Sequence, residues 1–213
     1  MSNTDRRRIF GVQALRAFAY GLGSVLVGVT LARRGMSGFA AAAVFATLLA
    51  GIGLVSVLIA RYGDRLGRRR TYSTLLVLLA ASGTVFALSS WLPALLLAAL
   101  TGTVSTDVVE SGPFTSLEQA MLPRTAGDGP PARLFATYNT IATLTGSLGA
   151  LAAAGPTLLH TGSTHWLFAY PIAAALALPF ALRLSPAVEE PTDRKSTRLN
   201  SSHIQKSRMP SSA

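Results

Sequence analysis

The sequence predicts an all-α membrane protein, a bundle of six transmembrane helices. Half of its 213 residues are apolar, the mean hydropathy is +0.43, and three stretches, 35–60, 71–106 and 134–182, contain no Asp, Glu, Lys or Arg. A water-soluble amphipathic helix needs a polar face along every turn, which such stretches lack. The longest has 49 residues, enough for two crossings of a hydrocarbon layer about 30 Å thick at about 20 residues each.

Turn residues divide the apolar stretches into helices. The first helix ends at the Arg33-Arg34-Gly35 break, and the fourth starts near Pro93, because proline suits the first turn of a helix. The six predicted helices run over about 9–31, 38–60, 71–90, 92–112, 134–158 and 165–184. The predicted organisation is therefore an N-terminal segment 1–8, a membrane domain 9–184 and the start of a central linker 185–193.

The arginines predict the orientation in the membrane. Two of them, Arg33 and Arg34, fall on one side of the predicted bundle, and eleven fall on the other. The eleven are Arg6, Arg7, Arg8, Arg61, Arg65, Arg68, Arg69, Arg70, Arg124, Arg133 and Arg183. We therefore expect a multi-pass protein of the inner (cytoplasmic) membrane with both ends of the domain in the cytoplasm. The first apolar segment is too long for a secretory signal peptide.

The last twenty residues, 194–213, differ from the rest of the chain. They carry five basic residues, no acid and six serines, and without them the net charge falls from +10 to +5. Such a segment cannot bury enough apolar surface to order itself. The string also resembles a translated sequencing-adapter read-through, which predicts a disordered, non-native tail. The alternative is a native basic tail that attracts anionic lipid.

Composition excludes several functional classes. The chain has no cysteine, which removes disulfide, thiol-nucleophile and Cys-zinc sites. No aromatic residue is interleaved with the basic tail, so nucleic acid is not an expected partner. His160 and His165 have no third ligand nearby in sequence, and no glycine run follows a strand and opens a helix. We expect no metal, no cofactor and no enzymatic activity. The Gly21-x-Gly23 and Gly146-x-x-Gly149 spacings favour close helix packing over ligand binding.

The connection between the second and third predicted helices carries a motif. Residues 60–70 read Ala-Arg-Tyr-Gly-Asp-Arg-Leu-Gly-Arg-Arg-Arg. A basic cytoplasmic loop explains the arginines, but not the aspartate at a fixed offset from the second glycine. The string resembles the loop motif between spans two and three of the major facilitator superfamily. Ala60 departs from that pattern, which prefers glycine, but either small residue permits close helix packing.

A second segment resembles the same family. Residues 110–120, Glu-Ser-Gly-Pro-Phe-Thr-Ser-Leu-Glu-Gln-Ala, and 133–139, Arg-Leu-Phe-Ala-Thr-Tyr-Asn, are similar to the end of span four and the start of span five in prokaryotic members. The resemblance covers about residues 5–190. It implies twelve spans in two six-helix halves, and hence that this chain is the N-terminal half and lacks its C-terminal six-helix partner.

The resemblance also implies a role for the loop motif, in which its aspartate and arginines latch the two halves together on the cytoplasmic side. A carboxylate at a helix end can accept hydrogen bonds from the exposed amides of a partner helix, and arginine can bind carboxylates bidentately. Such a latch biases alternating access and does not bind cargo. The candidate gating residues are Gly63, Asp64, Arg65, Gly67, Arg68 and Arg69.

Charged residues inside the predicted spans are a second set of candidates, because intramembrane ionisable groups are costly and usually functional. Arg16 lies seven residues inside the first span, and Asp107 lies at a similar depth in the fourth. Glu110 is three residues further on, on the same face and nearer the cytoplasm. We expect Arg16 to pair with Asp107 or Glu110. Either the pair only neutralises itself, or one carboxylate takes a coupling proton while Arg16 holds an anionic group or sets the pKa of that carboxylate. Gln13 and Asn139 are candidate polar lining.

The function predicted from the sequence is secondary active transport of a small solute by alternating access, coupled to an ion, with the proton favoured. The expected partners are the solute, the coupling ion, the lipid bilayer and the missing half. The alternative is a non-transporting six-helix scaffold, or a half-transporter that dimerises. An intramembrane serine protease needs a Ser and a His at matching depth, whereas the histidines of the last hairpin lie at an aqueous edge.

Overall fold

The computed structural model describes residues 3–107, 112–125 and 131–185. All regular structure within these ranges is helical. Glu110, the linker beyond Ser185 and the basic tail 194–213 lie outside the described residues. The α-helices are α1 (Asn3–Arg33), α2 (Gly38–Leu66), α3 (Arg68–Leu88), α4 (Leu92–Leu100), α5 (Pro113–Met121), α6 (Pro131–Ala152), α7 (Gly155–Leu158), α8 (Ser163–Trp166) and α9 (Ala169–Leu182).

The prediction of an all-α membrane protein is confirmed. Among the described residues, five helical stretches are long and apolar enough to cross a membrane. They are Asn3–Arg33, Gly38–Gly63, Arg68–Leu88, Ala132–Leu158 and Ser163–Leu182. The predicted fourth helix is not among them, because the structure divides it into the nine-residue helices α4 and α5.

The break in the fourth helix has a local cause. α4 starts with proline in its first turn, as predicted, but ends at Leu100, and Gly102 has a left-handed φ of 62°. Residues 101–106 include three threonines and a valine, and these β-branched residues favour a helix less than the preceding Ala and Leu do. Thr101 Oγ1 donates to the Ala98 carbonyl at 2.8 Å, which completes the end of α4. The prediction of one continuous helix over 92–112 is therefore wrong.

The junction between α2 and α3 is shorter than the sequence predicts. α2 continues through Asp64 to Leu66, and Gly67 alone separates it from α3. Gly67 has a φ of 84°, which glycine adopts without a steric penalty. The motif at 60–70 is therefore mostly helical.

α1 forms the centre of the bundle. It packs against α6 and α9, while α3 packs against α9 and α2 packs against α4. Buried tyrosines Tyr20, Tyr72, Tyr138 and Tyr170 contribute the largest side chains of the core. Large apolar side chains remain exposed along the outer faces, and Phe39 of α2 is 87% exposed. An apolar outer surface fits contact with lipid chains.

The two ends of the chain's helical domain meet at one end of the bundle. Asp5, only 1% exposed, accepts hydrogen bonds from Arg8 at 3.0 Å and from Ser185 Oγ at 2.8 Å. Arg8 also donates to the Arg183 carbonyl. α1 therefore begins at Asn3, six residues before the predicted start, since its first turns are held against the end of α9.

Arg34 holds the opposite end of the bundle. Its guanidinium donates to the carbonyls of Phe86, Ser89 and Ala87 at 2.9, 2.6 and 2.8 Å, at the C-terminus of α3. These are helix-end carbonyls without intrahelical partners, where the dipole also favours a cation.

Replacing Arg34 with glutamine is expected to lower the free energy of unfolding by about 1–3 kcal/mol, because charge-assisted hydrogen bonds are lost. Arg33→Gln is the matched control, since Arg33 is exposed and should change stability by about 0.5 kcal/mol or less. Denaturant unfolding in detergent, followed by circular dichroism, measures both variants. Equal losses in the two variants would show that Arg34 does not stabilise the end of α3.

Candidate functional site

A buried ion pair lies near the middle of α1. Arg16, 2% exposed, donates through Nη2 to Glu118 Oε2 of α5 at 2.8 Å, and Glu118 is fully buried. Arg16 also donates to Oε1 of Gln13, one turn earlier on α1. The guanidinium is thus held by a carboxylate and an amide inside the bundle.

Two tyrosines also donate hydrogen bonds to the Glu118 carboxylate. The hydroxyl of Tyr72 on α3 donates to Glu118 Oε1, and the hydroxyl of Tyr138 on α6 donates to Oε2. We refer to Gln13, Arg16, Tyr72, Glu118 and Tyr138 as the Glu118 cluster. It joins α1, α3, α5 and α6 through one carboxylate, so each of these helices is fixed relative to the other three.

Aromatic rings enclose the charge of Arg16. The Phe114 ring centroid lies 4.3 Å from Arg16 Cζ, and that of Tyr20 lies at 5.4 Å. Tyr72 packs edge-on against Phe114, with ring centroids 5.9 Å apart. A guanidinium over an aromatic face gains cation–π attraction, and more so where water is excluded.

Two further tyrosines hold the break in the fourth helix. Tyr20 donates to the Thr103 carbonyl at 2.7 Å, and Tyr170 donates to the Ser105 carbonyl at 2.8 Å. Both donors satisfy carbonyls that have lost their helical partners, as non-helical backbone inside a membrane protein requires. The non-helical stretch 103–107 is therefore a fixed part of the fold.

Asp107 lies at the end of this stretch. Its side chain is exposed and lines a cavity of about 230 Å³ together with Ser105, Thr106 and four α2 residues. The four are Phe45, Leu48, Leu49 and Ile52. Ser105 Oγ accepts a hydrogen bond from the Asp107 amide at 3.0 Å. The cavity combines apolar walls with a carboxylate and hydroxyls at one side.

A family model described as the Major Facilitator Superfamily matches residues 9–210. The chain belongs to the major facilitator superfamily. Over 150 residues it is 27% identical to the uncharacterized membrane protein YJR124C of Saccharomyces cerevisiae, a match that covers 70% of this chain and 34% of that protein. The chain thus spans about a third of the length of this relative. Superfamily members transport small molecules across lipid bilayers, so this is a multi-pass membrane protein of a transporter family.

The superfamily's loop motif contacts helix ends in this chain. Arg68 donates to the Ala120 carbonyl of α5 at 3.3 Å, and Arg69 donates to the Leu182 carbonyl of α9. Arg65 is exposed and Gly63 is buried. Asp64 belongs to α2, but its side chain is not among the described parts of the structure. Arg68 and Arg69 therefore bind helix C-termini within this chain, where the dipole favours a cation.

The structure corrects the Asp107 alternative for the partner of Arg16. The sequence favoured Asp107 or Glu110, but within the described residues the carboxylate at 2.8 Å from Arg16 is that of Glu118. Asp107 lies instead beside the α2 cavity, because the break at Gly102 removes it from a helical register. Glu110 lies outside the described residues. The role proposed for Asp107 is not tested by this geometry and stays a prediction.

The remaining predicted polar residues divide between two environments. Gln13 lies inside the Glu118 cluster, whereas Asn139 is exposed on α6 beside the buried Tyr138.

Sequence reasoning missed Glu118, Tyr72 and Tyr138. One signal was present for Glu118: Phe114 lies four residues before it and Met121 three residues after it, which places the carboxylate on the apolar face of α5.

The histidines contribute no metal centre in the described part of the chain, where no group of three His, Cys, Asp or Glu side chains is placed to hold an ion. His160 is exposed with a φ of 52° in the turn after α7, and His165 is exposed on α8.

Proposed function

We propose that this chain is the N-terminal six-helix half of a secondary active transporter that moves a small solute by alternating access. In this proposal α4 and α5 together form the fourth span, interrupted at 101–107, and both ends of the domain face the cytoplasm of a cell whose inner membrane holds the protein. The missing C-terminal half would supply the opposite wall of the transport cavity.

The observation that carries the proposal is the interrupted fourth span beside Asp107. Transporters bind substrates and coupling ions at discontinuous helices, since unwound backbone is tolerated in a membrane only where it is buried or lines a cavity. Here the interruption lines the 230 Å³ cavity and places a carboxylate at its side. We assign Asp107 the proton-coupling role, with Ser105 and Thr106 as polar lining.

The Glu118 cluster has a different role in this proposal. Arg16, Tyr72 and Tyr138 all donate to the Glu118 carboxylate, so its charge is neutralised and its oxygens are occupied within the protein. The cluster therefore positions α1, α3, α5 and α6 relative to one another. Arg16 in this proposal binds an anionic group of the protein itself, the Glu118 carboxylate.

Solute flux tests the proposal. The chain and a full-length parent are reconstituted in vesicles that contain a pH-sensitive dye, and a panel of sugars, amino acids and cationic drugs is screened for proton movement. We expect solute-dependent proton movement in the parent, its loss in Asp107→Asn, and its retention in Gln119→Ala, since Gln119 is exposed on α5. If solute flux is independent of pH in both the parent and Asp107→Asn, the proton-coupling role of Asp107 is refuted.

The same vesicles distinguish the alternative, a six-helix scaffold or a dimerising half-transporter. Its support is the exposed apolar surface of α2, where Leu49 is 72% and Val57 64% exposed. A half-transporter predicts solute flux by the chain alone together with a dimeric mass by light scattering in detergent. A scaffold predicts no flux, even by the full-length parent.

Asp64→Asn is expected to abolish transport in a full-length parent and to leave membrane insertion intact, because a neutral amide loses the charge that a helix N-terminus attracts. Solute uptake and the amount of protein in the membrane fraction are measured together. Arg61→Gln is the control, since Arg61 is exposed at the same end of α2. Normal uptake by Asp64→Asn would contradict the latch.

A further inference from the structure

A basic groove lies where the start of α3 meets the end of α9. Its volume is about 640 Å³, and it is lined by Arg69, Arg70, Ser73, Thr74 and Leu182. None of these five side chains is acidic. The groove is at the same end of the bundle as the contact between Asp5 and Ser185, and it is separate from the Asp107 cavity, whose lining comes from α2 and the interrupted span.

The groove has donors for an anion. Arg69 is held in place by its hydrogen bond to the Leu182 carbonyl, while Arg70 is exposed and makes no ion pair or hydrogen bond with the described residues. Ser73 Oγ is buried and lacks a hydrogen-bond partner among those residues. Two guanidinium groups and two hydroxyls match a group with several acceptor oxygens, and arginine prefers phosphate and carboxylate.

The surroundings select an anion with an apolar tail. From the groove, the outer faces of α3 and α9 continue as exposed apolar surface, with Val77 54% exposed on α3 and Leu182 48% exposed on α9, next to the exposed Pro179. α3 and α9 pack against each other, and both are membrane spans. If the headgroup of a ligand binds in the groove, its hydrocarbon chains can pack along the exposed sides of α3 and α9. They displace no other part of the described protein there.

We propose that this groove binds the headgroup of an anionic phospholipid. The phosphate and its substituents lie against Arg69 and Arg70, with the hydroxyls of Ser73 and Thr74 as further donors, and the acyl chains follow α3 and α9. Basic clusters at the end of a membrane helix attract anionic lipid, and a groove between two helices adds shape to that attraction.

Native mass spectrometry of the full chain, released from mixed vesicles of phosphatidylglycerol and phosphatidylcholine, tests the proposal. We expect retained phosphatidylglycerol to exceed phosphatidylcholine, and the preference to fall roughly 10- to 30-fold in Arg69→Gln/Arg70→Gln. Arg61→Gln/Arg65→Gln removes the same charge from exposed positions on α2 and should keep the preference. An equal fall in the two double variants would overturn the proposal, because it would reflect net charge alone.

Two further arms distinguish folding defects and soluble ligands. Arg70→Gln and Ser73→Ala leave the contact between Arg69 and α9 intact, and each is expected to lower the preference severalfold; a preference unchanged in both would also overturn the proposal. Soluble glycerol 3-phosphate in excess should not displace the lipid, because it lacks the acyl chains. Complete displacement would assign the groove to a soluble phosphate ester instead.

Discussion

Replacing Glu118 with alanine is expected to lower the free energy of unfolding by about 3–5 kcal/mol, because it removes the carboxylate that lies 2.8 Å from the buried Arg16 guanidinium. The hydroxyls of Tyr72 and Tyr138 lose their acceptor in the same step, and each buried donor without a partner adds to the cost. Denaturant unfolding in detergent measures the loss. Gln119→Ala, one residue further along α5 and exposed, is the matched control, with an expected change of about 0.5 kcal/mol or less.

A double-mutant cycle separates the ion pair from the volume of the side chains. Glu118→Leu alone should destabilise strongly, but Arg16→Met/Glu118→Leu should recover much of the loss, since a buried ion pair replaced by apolar groups of similar size is often close to neutral. If the double variant is as unstable as the sum of the single variants, the two residues are not energetically coupled. Such additivity would contradict the cluster as the centre that positions the helices.

The sequence predicts the spans well because their cause is local. A stretch without charge over 20 or more residues is a direct requirement of the hydrocarbon layer, so the charge-free stretches mark where helices cross. The interruption of the fourth span depends on more than local composition. It begins at the local break around Gly102, and Tyr20 and Tyr170, distant in sequence, stabilise it by donating to the freed carbonyls of Thr103 and Ser105.

The site was predicted only in part for a related reason. Depth along a helix follows from residue counting, which placed Arg16 within the first span, and the structure buries Arg16 together with Gln13. The choice of partner depends on the rotation of each helix about its axis and on the end of the fourth helix, which the sequence misplaced. Tyr72 and Tyr138 carried no distinguishing signal, because tyrosines at such positions are also ordinary core residues.

Close contact between α1 and α6 supports the whole arrangement around Arg16. A Cβ at Gly149 would lie 2.0 Å from the Phe18 carbonyl oxygen, and one at Gly21 would lie 1.9 Å from the Gly146 carbonyl oxygen. Both obstacles are backbone atoms, which cannot rotate away as a side chain can. The predicted packing role of these glycines is thus confirmed by their surroundings, and helix association in membranes depends on such small residues.

Gly149→Ala is therefore expected to destabilise the protein by about 3 kcal/mol, at the upper end of the range for overpacking, because one helix must move away from the other. Gly53→Ala is the matched control in α2, where an added Cβ meets no atom within 4 Å. Alanine there should stabilise the helix by about 0.5–1 kcal/mol, so the same substitution changes stability in opposite directions at the two positions. Denaturant unfolding in detergent measures the change in unfolding free energy for each variant. If Gly149→Ala stabilises the protein, α1 and α6 do not approach each other this closely. Arg16 and Tyr138 lie on these two helices, so a separation large enough to admit one methyl group also lengthens the contacts of the Glu118 cluster. The loss of unfolding free energy caused by Gly149→Ala should therefore be smaller when Glu118 is already replaced by leucine.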